Sequence, residues 1–365
     1  MIRDQESLGA LVTRIQKSKW AAIDTEADSL HAYPEKLCLI QLSFSGGDEL
    51  VDPLAEVDIQ PLLEELSRHE LLIHGADYDL RLLKKTYNFL PTEIFDTVNA
   101  ARLLGYTRFG LNDLLNQKLG ISLEKGPQKM NWARRPLTER MLAYAINDVR
   151  HLKPLADQLR AELKEKGRLE WHKEMCAKLI RDAECIQPED PDVIWRVKGC
   201  DGLPRKALAV VRELWQWRED EAVASNLPPY FVLSHESLIN IAETVGAGKP
   251  YRDFLPRKLS MRRMKGIREA IARARALKAH EWPYPRKNKG TRPTIEDQNR
   301  FNILRKQRDK EAHVLGIDPT LIASRGSLMA LARDWENEGK SLLDWQRRLL
   351  QPALKEAGLV AAESP

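Results

Sequence analysis

Long hydrophobic runs are missing from this chain of 365 residues; none approaches the roughly 20 apolar residues that a membrane-spanning helix needs. The opening "MIRDQESLGALVTRI" mixes charges of both signs into its apolar positions, so no secretory leader and no membrane partner are expected. Cysteine is scarce. The four present (Cys38, Cys176, Cys185 and Cys200) show no C-x-x-C spacing. That argues against a disulfide framework and against a zinc site, and it fits a reducing, cytoplasmic setting. Coiled-coil heptads are absent as well, so the chain offers no guide to its oligomeric state.

What is present is the composition of a soluble protein, 43% hydrophobic and 30% charged, in a chain long enough for two or three domains. Its charge is divided unevenly. Residues 1–190 hold 26 Lys and Arg against 31 Asp and Glu, whereas 191–365 hold 32 against 22. The densest basic stretch, 252–292, has 14 basic residues and 3 acidic ones. Acidic groups can hold metal cations and basic groups a polyanion, so the two halves divide naturally into chemistry and binding.

The first half alternates between short apolar runs and helical patterns. "KWAAIDTEA", "LCLIQLSF", "DELVDP", "ELLIHGA" and "TEIF" read as strands, "IQPLLEELSRH" and "DYDLRLLKKTY" as helices. Asp96 and Thr97 supply a helix cap for "VNAARLLGY". The spacing predicts a mixed α/β sheet over 1–185, with tight turns first and crossover helices later. The Pro- and acid-rich "CIQPEDPDV" reads as a linker, and the chain beyond it is nearly all helical. That region repeats itself. "WREDEAVASNLPPYFVLSHESLINIA" (217–242) aligns without gaps on "QRDKEAHVLGIDPTLIASRGSLMALA" (307–332), with eight identical positions of 26. Two copies of a small helical unit are expected, with Ser234 and Ser324 as helix caps. Trp215, Trp217, Trp335 and Trp345 sit at helical spacing and read as core.

Four acidic positions carry the chemistry. Asp24 and Glu26, two apart at the end of a strand, aim at one spot where two anions repel unless a cation sits between them. Asp77 and Asp79 fall on the first turn of a helix, where capping alone would account for either. Tyr144 and Asp148 are i and i+4 and share a helix face. Converging carboxylates make an oxygen-rich site suited to Mg²⁺ or Mn²⁺, and two such ions can run phosphodiester hydrolysis.

The order "IDTEAD", "HGADYDLRLL", "WARRPLTERMLAYAINDV" resembles the ribonuclease D family of DEDD-superfamily 3′→5′ exonucleases, with Y-x-x-x-D marking the Tyr-bearing subclass. The resemblance implies a ribonuclease-H-like exonuclease domain over 1–185. It then implies a linker (186–204), a nucleic-acid-binding HRDC domain (205–280), a basic linker (281–299) and a second HRDC-like domain (300–365). It also implies two divalent metal ions held by Asp24, Glu26, Asp79 and Asp148, a water-positioning Tyr144, and no organic cofactor. RNA 3′ ends, tRNA precursors above all, would be trimmed to nucleoside 5′-monophosphates. Asp77 falls outside the family motif, and Asp96 remains the cap. Trp132 and Arg135, in the loop before the last motif, stand close enough to touch substrate, though packing and solvation account for them too. Gln41 and His74 read as satisfied polar groups at strand ends. The basic face of helix 261–280 (Arg262, Arg263, Lys265, Arg268) is the expected phosphate contact. A DNA exonuclease, and a non-catalytic RNA-binding scaffold, remain as alternatives, since no residue visibly reads the 2′-OH.

Overall fold

A computed structural model describes all residues except 125, 127–128, 186–189, 257, 287–291 and 361–365. Parts of both expected linkers therefore lie outside the described residues. In chain order the first half comprises α1 (Gln5–Ile15), β1 (Ala21–Ala27), β2 (Leu37–Phe44), β3 (Gly47–Val51), α2 (Gln60–Leu66), β4 (Glu70–Ile73), α3 (Asp77–Tyr87), β5 (Glu93–Asp96), α4 (Thr97–Leu104), α5 (Leu111–Leu119), α6 (Glu139–Arg150), α7 (Leu152–Glu165) and α8 (Leu169–Glu184). The sheet order is β3-β2-β1-β4-β5. β2 and β3 form an antiparallel hairpin, while β1, β4 and β5 run parallel. The mixed sheet is as the alternating pattern predicts. One connection differs: β1 and β2 are joined not by a tight turn but by a segment closed on itself, where the Asp28 N–H donates to the Lys36 carbonyl at 3.3 Å and the Asp28 carboxylate accepts the Lys36 N–H at 2.7 Å.

The second half is helical: α9 (Arg205–Ser225), α10 (Pro229–Val232), α11 (His235–Gly246), α12 (Met261–Ala276), α13 (Ile295–Leu315), α14 (Pro319–Ile322), α15 (Arg325–Arg333), α16 (Trp335–Glu338) and α17 (Asp344–Leu354). No described helix is long and apolar enough to cross a membrane. The sequence repeat is a structural repeat in the same register. α9 and α13 are each 21 residues, α10 and α14 each four, and Ser234 and Ser324 cap the next helix by accepting from the N–H three residues on. Even the local ion pair recurs, Arg218 to Glu219 at 2.9 Å and Arg308 to Asp309 at 2.6 Å.

The chain divides into two compact units. One comprises 1–26, 37–186 and 290–365, the other 27–36 and 187–289. The second helical copy thus shares a core with the sheet: Phe95, Leu103 and Leu115 belong to one apolar cluster with Leu304, Leu328 and Trp345. Three contacts seat it. The buried Arg168 donates to the Leu103 carbonyl at 2.6 Å and the Leu315 carbonyl at 2.7 Å, placing one cation at the C-termini of α4 and α13, where helix dipoles favour it. Trp171 and Trp345 stack with centroids 4.9 Å apart. Gly105 and Gly316, the left-handed C-caps of α4 and α13, meet backbone to backbone, and a Cβ on Gly105 would overlap the Gly316 carbonyl oxygen. Gly105→Ala should therefore lower unfolding stability by roughly 2–4 kcal/mol, combining a strained φ with a backbone clash, as measured by urea denaturation.

Candidate active site

β1 is the central strand, and its C-terminal end carries Asp24 and Glu26. Carboxyl ends of parallel strands are where open α/β sheets place their ligand crevices. Neighbouring β4 runs into α3, which brings in Asp79, and α6 packs on β2 and β3 and brings in Asp148. One carboxylate oxygen each from Asp24, Glu26 and Asp148 lies within 4.8 Å of the others. Asp79 stands beside them, its charge felt by Asp24 and Glu26, with one oxygen accepting a hydrogen bond from the Thr25 hydroxyl. The Tyr144 hydroxyl donates to Asp148.

Electrostatics mark the cluster as under-compensated. Burial and then the charge of Asp79, Asp148 and Glu26 push Asp24 well above the ordinary carboxylate range. Burial, Asp148 and Asp79 raise Glu26 to about 8. Burial raises Asp148 to about 7 against the Tyr144 hydrogen bond, and Asp79 to about 6 against that of Thr25. No Lys or Arg figures among the influences that set Glu26 and Asp148. An all-oxygen donor set, close-packed and short of positive charge, fits a hard divalent cation.

Several surrounding residues hold this geometry. Asp96 caps α4, as expected, by accepting from Val98 and Asn99, and it also accepts the Gly75 and Ala76 N–H groups at 3.2 and 3.1 Å. One carboxylate thus ties the β4–α3 turn, and so Asp79, to the next strand. Neither Asp77 nor Asp79 caps α3; the cap position is Ala76, and Asp77 is exposed and pairs with Arg81 at 2.5 Å. Gln41 is fully buried, reaches Asp24 at 3.5 Å, and its Oε1 has no partner among the described residues. His74 bonds Thr97 at 2.8 Å, and burial depresses it to about 4, the reading of a packed neutral group. Gly126 was missed in sequence: a Cβ there would overlap the Tyr144 ring, so the glycine sets where that ring can lie.

Trp132 and Arg135 do not offer themselves to substrate. Trp132 is 1% exposed and packs with Cys38, Leu39 and Met141, its ring 6.1 Å from that of Tyr144. Arg135 grips buried Asp52 through two nitrogens at 2.7 and 2.5 Å and the Cys38 and Trp132 carbonyls at 2.8 and 2.7 Å. Both are spent on fixing the loop that enters α6. The predicted phosphate helix is likewise partly committed. Arg262 and Arg263 reach Glu221 at 2.5 and 3.0 Å, while Lys265 is 78% exposed with only a 3.8 Å approach to Glu269. Arg268 makes its side-chain contact to Met264 and lines a cleft of about 1090 Å³ with Lys249, Tyr251, Arg252 and Arg275. None of these four basic residues forms an ion pair with a described residue.

Comparison with known proteins follows the same division. Residues 1–164 match the family described as 3′-5′ exonuclease, and 207–245 match the HRDC domain. The ribonuclease D of Gluconacetobacter diazotrophicus is 33% identical over 361 residues, 95% of this chain and 89% of that one. That of Pseudomonas paraeruginosa is 32% identical over 371 residues, 98% and 96% of the two chains. Among solved structures, Escherichia coli RNase D, described as an exoribonuclease involved in structured RNA processing, superposes with a TM-score of 0.75 at 25% identity over 98% of each chain. A Bifidobacterium adolescentis protein gives 0.81 at 25% identity, covering 98% of this chain and 96% of its own.

Raised carboxyl pKa values have a definite sign in stability. These groups favour folding while protonated; the contribution is complete below about pH 4, the unfolded range, and drains away as pH rises through about 6 to 8. In EDTA, Tm should fall between pH 5 and pH 8, less steeply for Asp24→Asn than for the parent protein. Mg²⁺ or Mn²⁺ should raise Tm of the parent at pH 8 and leave that of the variant nearly unmoved, as read by differential scanning fluorimetry.

Proposed function

Given that the chain belongs to the ribonuclease D family and is a 3′→5′ exonuclease, a phosphodiester hydrolase, we propose that it trims the 3′ ends of structured RNA, tRNA precursors among them. It releases nucleoside 5′-monophosphates one at a time. The observation that carries this reading is the convergence of Asp24, Glu26 and Asp148, with Asp79 beside them, in a pocket short of positive charge.

In this reading the four carboxylates hold two divalent cations, Mg²⁺ or Mn²⁺. Such a pair, when bound, supplies an activated water and neutralises charge at the attacked phosphate and the departing 3′ oxygen. The protein's own groups do the placing. Tyr144, held by its bond to Asp148 and hemmed in by Trp132 and Gly126, presents a hydroxyl to orient the attacking water. The cleft beside it, about 450 Å³ and lined by Asn112, Asp113, Asn147 and Asp148, carries acidic and amide groups that suit a nucleoside rather than a phosphate. Attraction for the phosphate backbone must come from elsewhere. The basic cleft of the first helical domain (Lys249, Arg252, Arg268, Arg275) supplies it, with Lys265 exposed on the same helix as Arg268 and Arg275.

A gel time course tests the reading. The substrates are a 5′-labelled RNA hairpin with a single-stranded 3′ tail and its DNA twin, with Mg²⁺, Mn²⁺ or EDTA. A metal-dependent ladder shrinking from the RNA 3′ end is expected. It should slow in Asp24→Ala by more than the roughly 100-fold that outer partners of a metal site cost. A ladder on DNA alone would replace the substrate assignment, and a retained gel shift with no ladder would leave a binding scaffold. Changing Lys249, Arg252, Arg268 and Arg275 to Gln should weaken RNA binding and flatten the slope of log K against log salt by about 0.7 per lost single-strand contact. Point substitution is the sound comparison, because deletion to residue 365 would strip the core that 290–365 shares with the sheet.

A further inference from the structure

The segment between β1 and β2 sits one residue beyond Glu26 yet packs in the unit of the first helical domain. It is a closed loop. Buried Asp28 takes the Lys36 N–H on its carboxylate, and its carbonyl accepts from His31 and Ala32 at 2.7 and 2.9 Å. Tyr33 is the loop's attachment point. Its hydroxyl donates to Glu219 at 2.6 Å, its N–H to the Asn226 side chain at 3.3 Å, and its ring lies against the apolar core built by α9, α11 and α12. The receiving groups are themselves immobilised. Glu219 is held by buried Arg218 at 2.9 Å, and Asn226 is the left-handed cap that ends α9.

The chain therefore passes between its two units four times, after residues 26, 36, 186 and 289. Two of those crossings are the ends of the strand that carries the acidic pair and of its neighbour. We propose that Tyr33 is a positioning residue for the exonuclease reaction: anchored on Glu219 and Asn226, it holds the closed loop that follows Glu26, and with it the end of β1, in the conformation that sets Glu26 for metal binding. This rests on the metal-site reading above.

The experiment compares the parent protein, Tyr33→Ala, Tyr33→Phe, Glu219→Gln and Asp24→Asn in full-length form, each confirmed folded by circular dichroism. Mn²⁺ binding is read by electron paramagnetic resonance without RNA, and kcat and KM are read on a trinucleotide and on a long-tailed hairpin. Tyr33→Ala should weaken Mn²⁺ binding several-fold and lower kcat about tenfold on both substrates, with KM for the trinucleotide changed less than twofold. Tyr33→Phe, which keeps the ring, and Glu219→Gln, which keeps a weaker acceptor, should recover part of both losses. If Tyr33→Ala does not fold, those two variants carry the test, each expected to show the same losses in reduced form. Parental Mn²⁺ affinity and kcat in all three, alongside lost Mn²⁺ binding in Asp24→Asn, overturns the positioning role and leaves the metal site standing. Undiminished Mn²⁺ binding in Asp24→Asn overturns both.

Discussion

Like charges held close together govern this structure. Asp24, Glu26, Asp79 and Asp148 come from one strand and two helices and are brought together where burial raises all four and the neighbouring carboxylates raise Asp24 and Glu26 further. No such cluster forms unless the elements bearing it are fixed by something stronger than the repulsion. The sheet fixes β1 at its centre; the Asp96 carboxylate ties down the turn leading to Asp79; Arg135 on Asp52 and buried Trp132 fix the entry to α6. Each strut is a satisfied polar pair or a packed ring, and its stability offsets the strain stored at the acids.

One helical motif is used twice for different ends. The copies agree in helix length, cap residue and local Arg–acid pair, because those features are set by their own sequence. They differ in what covers them. The later copy presents Gly316, Trp345 and the Leu315 carbonyl, which match Gly105, Trp171 and Arg168 of the exonuclease domain, and it joins that core. The earlier copy instead receives Tyr33 and keeps an open basic cleft. Packing surfaces rather than fold separate the two copies.

Much was legible in the chain itself. Strand and helix patterns, the two Ser caps, the Asp96 cap and the 90-residue repeat are local, and local periodicity and capping chemistry determine them. The carboxylates could be nominated because spacing of two in a strand and four in a helix constrains side-chain direction. What the sequence could not decide is which partner each polar group would find. Arg135 read either as a substrate contact or as a solvated side chain, and in the fold it is neither but the partner of Asp52, 83 residues away; Arg262 and Arg263 read as phosphate contacts, and Glu221 stands beside them. Nor could it show that residues 27–36 belong with the helical domain, or that the later copy belongs with the sheet. Spacing along a chain reports direction over a turn or two of structure; the choice of partner depends on burial and distance across the fold, which only the packed chain determines.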